Sequence, residues 1–314
     1  MTRRGTRWTA CLLATCAAML GWSAQARADG DEFDPGSDAA GGQRGTLSLA
    51  YQNLHSSGLL LQDGINNHGA ITDTQSLRLS IDYRLDGGWE LHAVLPYISK
   101  RSRHDNGSHN PLNLIEPHPE SQFLDDGDYH GTLQDVQLGV SRHLELGHYR
   151  VEPHAMLTWP SHDYTFFANA AVGQHLRKLK LGADVTRQLA DSNFYWSAGY
   201  DYEFVEKVMD IGINKQHARL AAGYYFSPTW SGRAFVTMRR SQGRDANFFS
   251  PANRDEYWYR HDQLSRHNYA IAGFGATWRI NDRYALSGTV GRMVWGRTVH
   301  ELKRAYELEL SRSF

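Results

Sequence analysis

The feature that most constrains this chain is its alternation. From about residue 45 onward, apolar and polar residues exchange places at every second position, and amphipathic-helix spacing is nearly absent. In Thr74–Leu85, the side chains Leu77, Leu79, Ile81, Tyr83 and Leu85 share one face. Ser76, Arg78, Ser80, Asp82 and Arg84 share the other. Asp86-Gly87-Gly88 turns the chain, after which Trp89, Leu91, Ala93, Leu95 and Tyr97 continue the apolar face opposite Glu90 and His92. The same reading predicts twelve strands: Gly45–His55, Thr74–Leu85, Trp89–Ser99, Thr132–His143, His148–Trp159, Leu176–Leu189, Asn193–Val205, Asn214–Phe226, Thr229–Arg240, Arg266–Ile280, Arg283–Arg297 and Lys303–Phe314.

The connections alternate in length. Short ones fall at Asp86–Gly88, Leu144–Gly147, Ala190–Ser192, Ser227–Pro228 and Asn281–Asp282. Longer ones fall at Ser56–Asp73, Lys100–Gly131, Pro160–His175, Glu206–Ile213 and Ser241–Ser265, with a modest last one at Thr298–Leu302. A soluble sandwich has no reason to sort its loops this way, whereas a bacterial outer-membrane barrel has tight periplasmic turns and larger external loops. Lipid offers no hydrogen-bond partners, so such a sheet must close on itself with its apolar face outward. The predicted fold is therefore an all-β, antiparallel, up-and-down transmembrane barrel of about twelve strands spanning residues 45–314. Its outward face carries Phe194, Trp196, Tyr200, Tyr202, Phe204, Leu220, Tyr224, Phe226, Trp230, Trp278 and Tyr284. A lipocalin-like barrel, apolar inside and usually eight-stranded, would leave the second half of the chain unexplained.

The first 28 residues read as a signal peptide: Arg3, Arg4 and Arg7, an uncharged apolar run from Trp8 to Trp22, and an Ala26-Arg27-Ala28 cleavage site before Asp29. Removing this leader, with its four arginines and no acid, moves the formal charge from −1 to −5 and takes away both cysteines, Cys11 and Cys16. An exported chain without cysteine has no disulfide framework, and an acidic one has no electrostatic footprint for nucleic acid. A mean hydropathy of −0.55 excludes a bundle of membrane helices. Asp29–Arg44, rich in Gly and Asp, reads as a flexible periplasmic lead. At the other end Tyr306, Leu308, Leu310 and Phe314 share a face. A last strand ending in Phe is similar to the signal by which outer-membrane proteins engage the barrel assembly machinery.

The inward face is charged and mixed in sign. Arg78, Asp82, Arg84, Glu90, His92, Arg150, Glu152, His154, Arg219 and Arg233 are the candidate lumen residues that would set selectivity. Charges buried without partners are expensive, so these must pair or stay wet. Eight strands enclose a filled interior and sixteen an aqueous channel, so twelve predict a narrow lumen partly blocked by paired charges. His92 and His143 point inward near the periplasmic rim, close to Arg84, Glu90 and Arg150. This is either a gate that titrates between about pH 5 and 8 or a paired network that fills the lumen. The loops Lys100–Gly131 and Ser241–Ser265 are expected to restrict the mouth. The second carries Phe248, Phe249, Tyr257, Trp258 and Tyr259, which either dock an apolar solute or fold the loop. The first gathers His104, His109, His118 and His130 with Asp125, Asp126 and Asp128, in no recognised metal-ligand spacing. No cofactor fingerprint is present, and no metal is expected.

The run Tyr83-Arg84-Leu85 … Trp89-Glu90-Leu91 … Leu95-Pro96-Tyr97 resembles a hairpin of the MetA-pathway phenol-degradation family of outer-membrane transporters. Asp135-Val136-Gln137-Leu138 is similar to that family's "D-V-x-L" strand, although Leu133 and Gln134 stand where a glycine and its neighbour are usual. Thr158-Trp159-Pro160-Ser161 imperfectly resembles its "P-T-G" strand end. The resemblance implies a barrel that moves small, often aromatic or hydrophobic compounds across the outer membrane of a Gram-negative bacterium, surrounded by lipid and lipopolysaccharide. Two other classes stay open. One is a barrel enzyme acting on lipid, for which His104-Asp105-Asn106-Gly107-Ser108-His109 is the nearest text to a phospholipase "H-x-S-N-G" pattern but lacks its order. The other is a closed structural or adhesive barrel acting through its loops. In the channel reading no residue is catalytic.

Overall fold

The computed structural model describes residues 44–104, 124–243 and 254–314. Its sheet contains β1 (Gly45–Leu60), β2 (Asn66–Arg84), β3 (Trp89–His104), β4, β5 (Tyr149–Trp159), β6 (Lys178–Gln188), β7 (Phe194–Val205), β8 (Asn214–Ser227), β9 (Trp230–Gln242), β10 (Asn268–Arg279), β11 (Tyr284–Arg297) and β12 (Val299–Ser313). β4 runs in three pieces, His130–Leu133, Val136–Arg142 and Leu144–Leu146. Every strand pairs antiparallel with its neighbours in sequence. β1 then pairs with β12, from Thr46 opposite Ser313 to Leu60 opposite Val299. The sheet is thus a closed twelve-stranded barrel with no edge among the described residues. No described helix is long and apolar enough to cross a membrane.

Alternation sorts the two faces as expected. Leu49, Tyr51, Leu77, Leu79, Tyr200, Leu220, Phe274 and Leu308 are exposed on the outside, while Ser48, Gln52, Ser80, Asp201, Arg219 and Arg239 are buried inside. Aromatic side chains gather on the outer face at the short-turn end. Trp230 stacks on Trp278 with centroids 5.6 Å apart, and Phe194 meets Tyr224 at 4.7 Å, as in the girdle that sits at headgroup level.

Three features depart from the sequence reading. β1 and β2 run on past the predicted ends to Leu60 and back to Asn66, so most of Ser56–Asp73 is hairpin rather than loop. Thr298 alone, at φ 55°, separates β11 from β12 where a five-residue loop was expected. The predicted strand Thr132–His143 is interrupted at Gln134 and Asp135. Both residues face Pro96 of β3, which has no N–H to offer, and Gln134 N donates to the Pro96 carbonyl at 2.9 Å. The extra residue is a bulge. It switches parity, so that Leu133 and Leu138 both lie on the outer face.

Segments from the long-loop end fold inward. Residues 160–177 bury Tyr164, Phe167, Ala170, Ala171, Val172 and Leu176. Two short helices, α1 (Arg254–Tyr259) and α2 (His261–Leu264), pack beside them, with all of α2 buried.

Candidate functional site

The structure places all ten predicted lumen residues on the inner side of the wall, in three groups rather than one. The first sits where β5, β6, β7 and β8 carry Glu152, Asp184, Gly199 and Arg219 in one register row and His154, Gly182, Asp201 and His217 in the next. Arg219 donates Nη2 to Asp184 Oδ1 at 2.7 Å and to Asp201 Oδ1 at 3.2 Å, and Nη1 to Asp201 Oδ2. His154 Nε2 lies 2.7 Å from Asp201 Oδ1. The glycines make this possible. A Cβ on Gly199 would overlap the Asp184 carboxylate, and one on Gly182 would overlap that of Asp201.

The second group straddles the closing seam. Arg78 on β2 donates to Glu309 Oε2 at 3.0 Å and to Glu307 Oε1 at 3.4 Å, both on β12, and Gln52 of β1 donates to Glu307 at 3.0 Å. Arg233 of β9 acts on Glu307 electrostatically from the other side.

The third group lies at the short-turn mouth. Asp82 Oδ1 is 2.9 Å from His92 Nδ1, and Arg84 Nε is 3.7 Å from Glu90 Oε1. His143 Nε2 is 2.8 Å from Glu90 and its Nδ1 is 3.3 Å from Glu152. Its backbone N–H donates to the Gly88 carbonyl at 2.7 Å, so the Asp86–Gly88 turn sets where its ring stands. Arg150 turns away to Glu145 at 3.1 Å.

Sequence reasoning missed the re-entrant segment and its anchors. Lys100 donates to the Ala171 carbonyl at 3.0 Å, and Lys215 donates to Gln174 Oε1 at 2.9 Å while pairing with Glu203 at 3.1 Å. Gln174 Nε2 donates to the Asp262 carbonyl at 2.7 Å, and Gln263 Nε2 returns a bond to the Gln174 carbonyl at 2.8 Å. These two bonds join the re-entrant segment to α2. Tyr164 donates to Asp135, at the bulge. Burial and that carboxylate push the Tyr164 hydroxyl up, so it stays protonated. Asp125 accepts from Asn169 N at 2.9 Å and Ala170 N at 2.7 Å, and burial pushes its carboxyl up. One signal was available in Phe166-Phe167-Ala168-Asn169-Ala170-Ala171-Val172, which is too apolar for a solvated loop. Of the expected mouth loops, the described part of Ser241–Ser265 folds inward through α2. The histidines His109 and His118, the phospholipase-like text from Asp105 to His109, and Phe248 and Phe249 lie outside the described residues. His130 pairs with Asp126 at 2.9 Å.

No protein-family model and no curated protein matches this chain. Solved structures do. An outer-membrane channel from Pseudomonas putida F1 superposes with a TM-score of 0.64 at 16% identity, over 90% of this chain and 100% of that one. The β domain of the Bordetella autotransporter BrkA gives 0.48 at 10% identity, over 87% and 100%. The KdgM porin gives 0.45 at 10% identity, over 85% and 99%. The fold is that of an outer-membrane barrel.

Proposed function

We propose that the chain is a narrow outer-membrane channel for small solutes. One observation carries this reading: residues 160–177 fold into the barrel and are tied to its inner wall by Lys100, Asp135 and Lys215. Twelve strands enclose more space than wall side chains fill. A barrel that only anchors loops gains nothing from filling it with a pinned segment, whereas a pore gains size selection. The candidate selectivity residues are the ten of the three inner groups. Inner-facing Phe235, Tyr269, Ile271, Met293 and Leu302 form an apolar patch beside the charged rows, with Arg239 over the Tyr269 ring. That pairing of surfaces suits amphipathic solutes such as small aromatic acids, in keeping with the resemblance to the phenol-degradation transporters. Residues 1–28 would export the chain, residues 29–44 would remain as a periplasmic lead, and Phe314 would present the last strand to the assembly machinery. The barrel would then lie among lipid and lipopolysaccharide with its short turns in the periplasm.

Single-channel recording in a planar bilayer tests the reading. The expected result is small, discrete openings that benzoate alters, and larger ones in Asp125→Ala, which frees Asn169 and Ala170. A barrel that inserts and never conducts, in either form, would overturn it.

A further inference from the structure

The cluster at the short-turn mouth has the makings of a metal site, and the case for it is independent of the channel reading. On its inner face β4 carries only Gly139 and Ser141 here, so side chains from β3 and β5 reach across it. Glu90 and His92 arrive from β3 and Glu152 from β5, and one donor atom of each lies within 4.8 Å of the others. His143 stands outside this set and braces it, with Nε2 2.8 Å from Glu90 and Nδ1 3.3 Å from Glu152. Glu90, His92 and Glu152 are 6%, 18% and 24% exposed, so they are set in the wall yet reachable from the lumen.

A second observation points the same way. His92 is held at both nitrogens, with Nδ1 2.9 Å from Asp82 Oδ1 and Nε2 2.9 Å from Ser141 Oγ. The carboxylate can only accept, so Nδ1 carries the proton of the neutral ring and Nε2 its lone pair; the Ser141 hydroxyl occupies that lone pair here, and an ion binding at Nε2 displaces it. A carboxylate behind the histidine, fixing its tautomer and raising its basicity, is the usual outer shell of a metal-binding imidazole. One imidazole and two carboxylates, with no thiol in the barrel, match first-row divalent ions of the zinc type rather than the all-oxygen sets of Ca²⁺ and Mg²⁺.

We infer that Glu90, His92 and Glu152 bind a zinc-class divalent ion at the short-turn mouth. The ion would staple β3 to β5 across β4, the strand whose ladder is broken twice.

The test is calorimetric titration of the tag-free barrel in detergent with Zn²⁺, with Co²⁺ absorption as a second readout and heat-modifiable gel mobility as the check of folding. One ion per chain is expected. His92→Ala and Glu152→Gln should each weaken binding by about 10-fold or more. Glu145→Gln, at the same rim but bonded to Arg150, should leave it unchanged. No binding to the wild type below ~1 mM Zn²⁺, undiminished binding in both variants, or equal weakening by Glu145→Gln would each overturn the inference. Should His92→Ala not fold, the wild-type Co²⁺ spectrum and Glu90→Gln decide. Absent d–d bands, or binding unchanged in Glu90→Gln, overturn it as well.

Discussion

Replacing Arg219 with methionine is the sharpest test of how the interior is held. The side chain keeps an unbranched stem and loses its charge and all five donors. Two carboxylates depend on it, Asp184 through Nε at 3.2 Å and Nη2 at 2.7 Å, and Asp201 through Nη1 and Nη2. Arg219, Asp184 and Asp201 are 5%, 14% and 0% exposed, so water cannot replace it. Removing one partner of a buried ion pair costs roughly 3–5 kcal/mol. Two stranded carboxylates push toward the top of that range. His154, 2.7 Å from Asp201 and 3.5 Å from Asp184, remains as a partner to both and pulls the cost back. A loss of about 3 kcal/mol is the expected balance. Urea unfolding in detergent micelles, followed by tryptophan fluorescence, measures it. Adding Asp184→Asn and Asp201→Asn to Arg219→Met removes the stranded charges and should restore most of the loss. A cost of Arg219→Met below about 1 kcal/mol, the level of an exposed pair, would refute the claim that this network is desolvated. Failure of the triple variant to recover would refute the electrostatic cause.

Gly199→Ala should destabilise the barrel by about 1–3 kcal/mol through overpacking, since its Cβ meets the Asp184 carboxylate and comes within 2.6 Å of Arg219 Nη2. The cost should shrink in an Asp184→Ala background, and strict additivity of the two changes would contradict the steric cause. Burial and the neighbouring cations Arg239 and Lys215 hold the His267 imidazole down at about 3, against an ordinary 6.5. A depressed base favours its neutral form in the closed loop, so this stabilisation is complete above pH 6.5 and is lost as pH falls toward 3. At pH 5 the loop carrying α2 should open about 30-fold more often than at pH 8; hydrogen exchange across residues 261–267, corrected for intrinsic rates, reads this, and a pH-independent opening refutes it.

The barrel was legible because its two determinants are local. Period-two alternation assigns faces residue by residue, and turn chemistry marks the short connections, as where Asn281 Oδ1 accepts from Arg283 N at 2.9 Å and Tyr284 N at 3.0 Å. What was not legible depends on register or on distant segments. The bulge at Gln134 and Asp135 looks like lost alternation until Pro96 is placed opposite it. The long-loop ends of β1 and β2 lack sorted faces because they stand above the apolar band, where Asp73 pairs with His55 at 2.7 Å and Arg101 at 2.9 Å on the outside. The re-entrant segment packs against α2, 88 residues away at the Gln174 contact, and no local pattern encodes that meeting. The sign of each inner residue was readable, but its partner was not.

A further regularity links the inner charges to the glycines. One register row runs inside the barrel through Tyr195, Gly223, Arg233, Gly275, Thr289, Glu307 and Gln52, from β7 around to β1. Another runs through His154, Gly182, Asp201, His217 and Arg239. Large polar side chains thus stand beside glycines on neighbouring strands. The cause is curvature. Inner side chains converge toward the axis of a small barrel, so an emptied position in a row gives the large side chains flanking it room to meet. The emptied position is then where two flanking strands can exchange hydrogen bonds, as over Gly182 and Gly199. At the mouth Ser141 and Gly139 play that part on β4, and the histidine–carboxylate cluster forms above them. A glycine or serine at an inward position of a charged strand therefore marks a crossing point, and reading such positions across neighbouring strands locates the inner clusters before any side chain is placed.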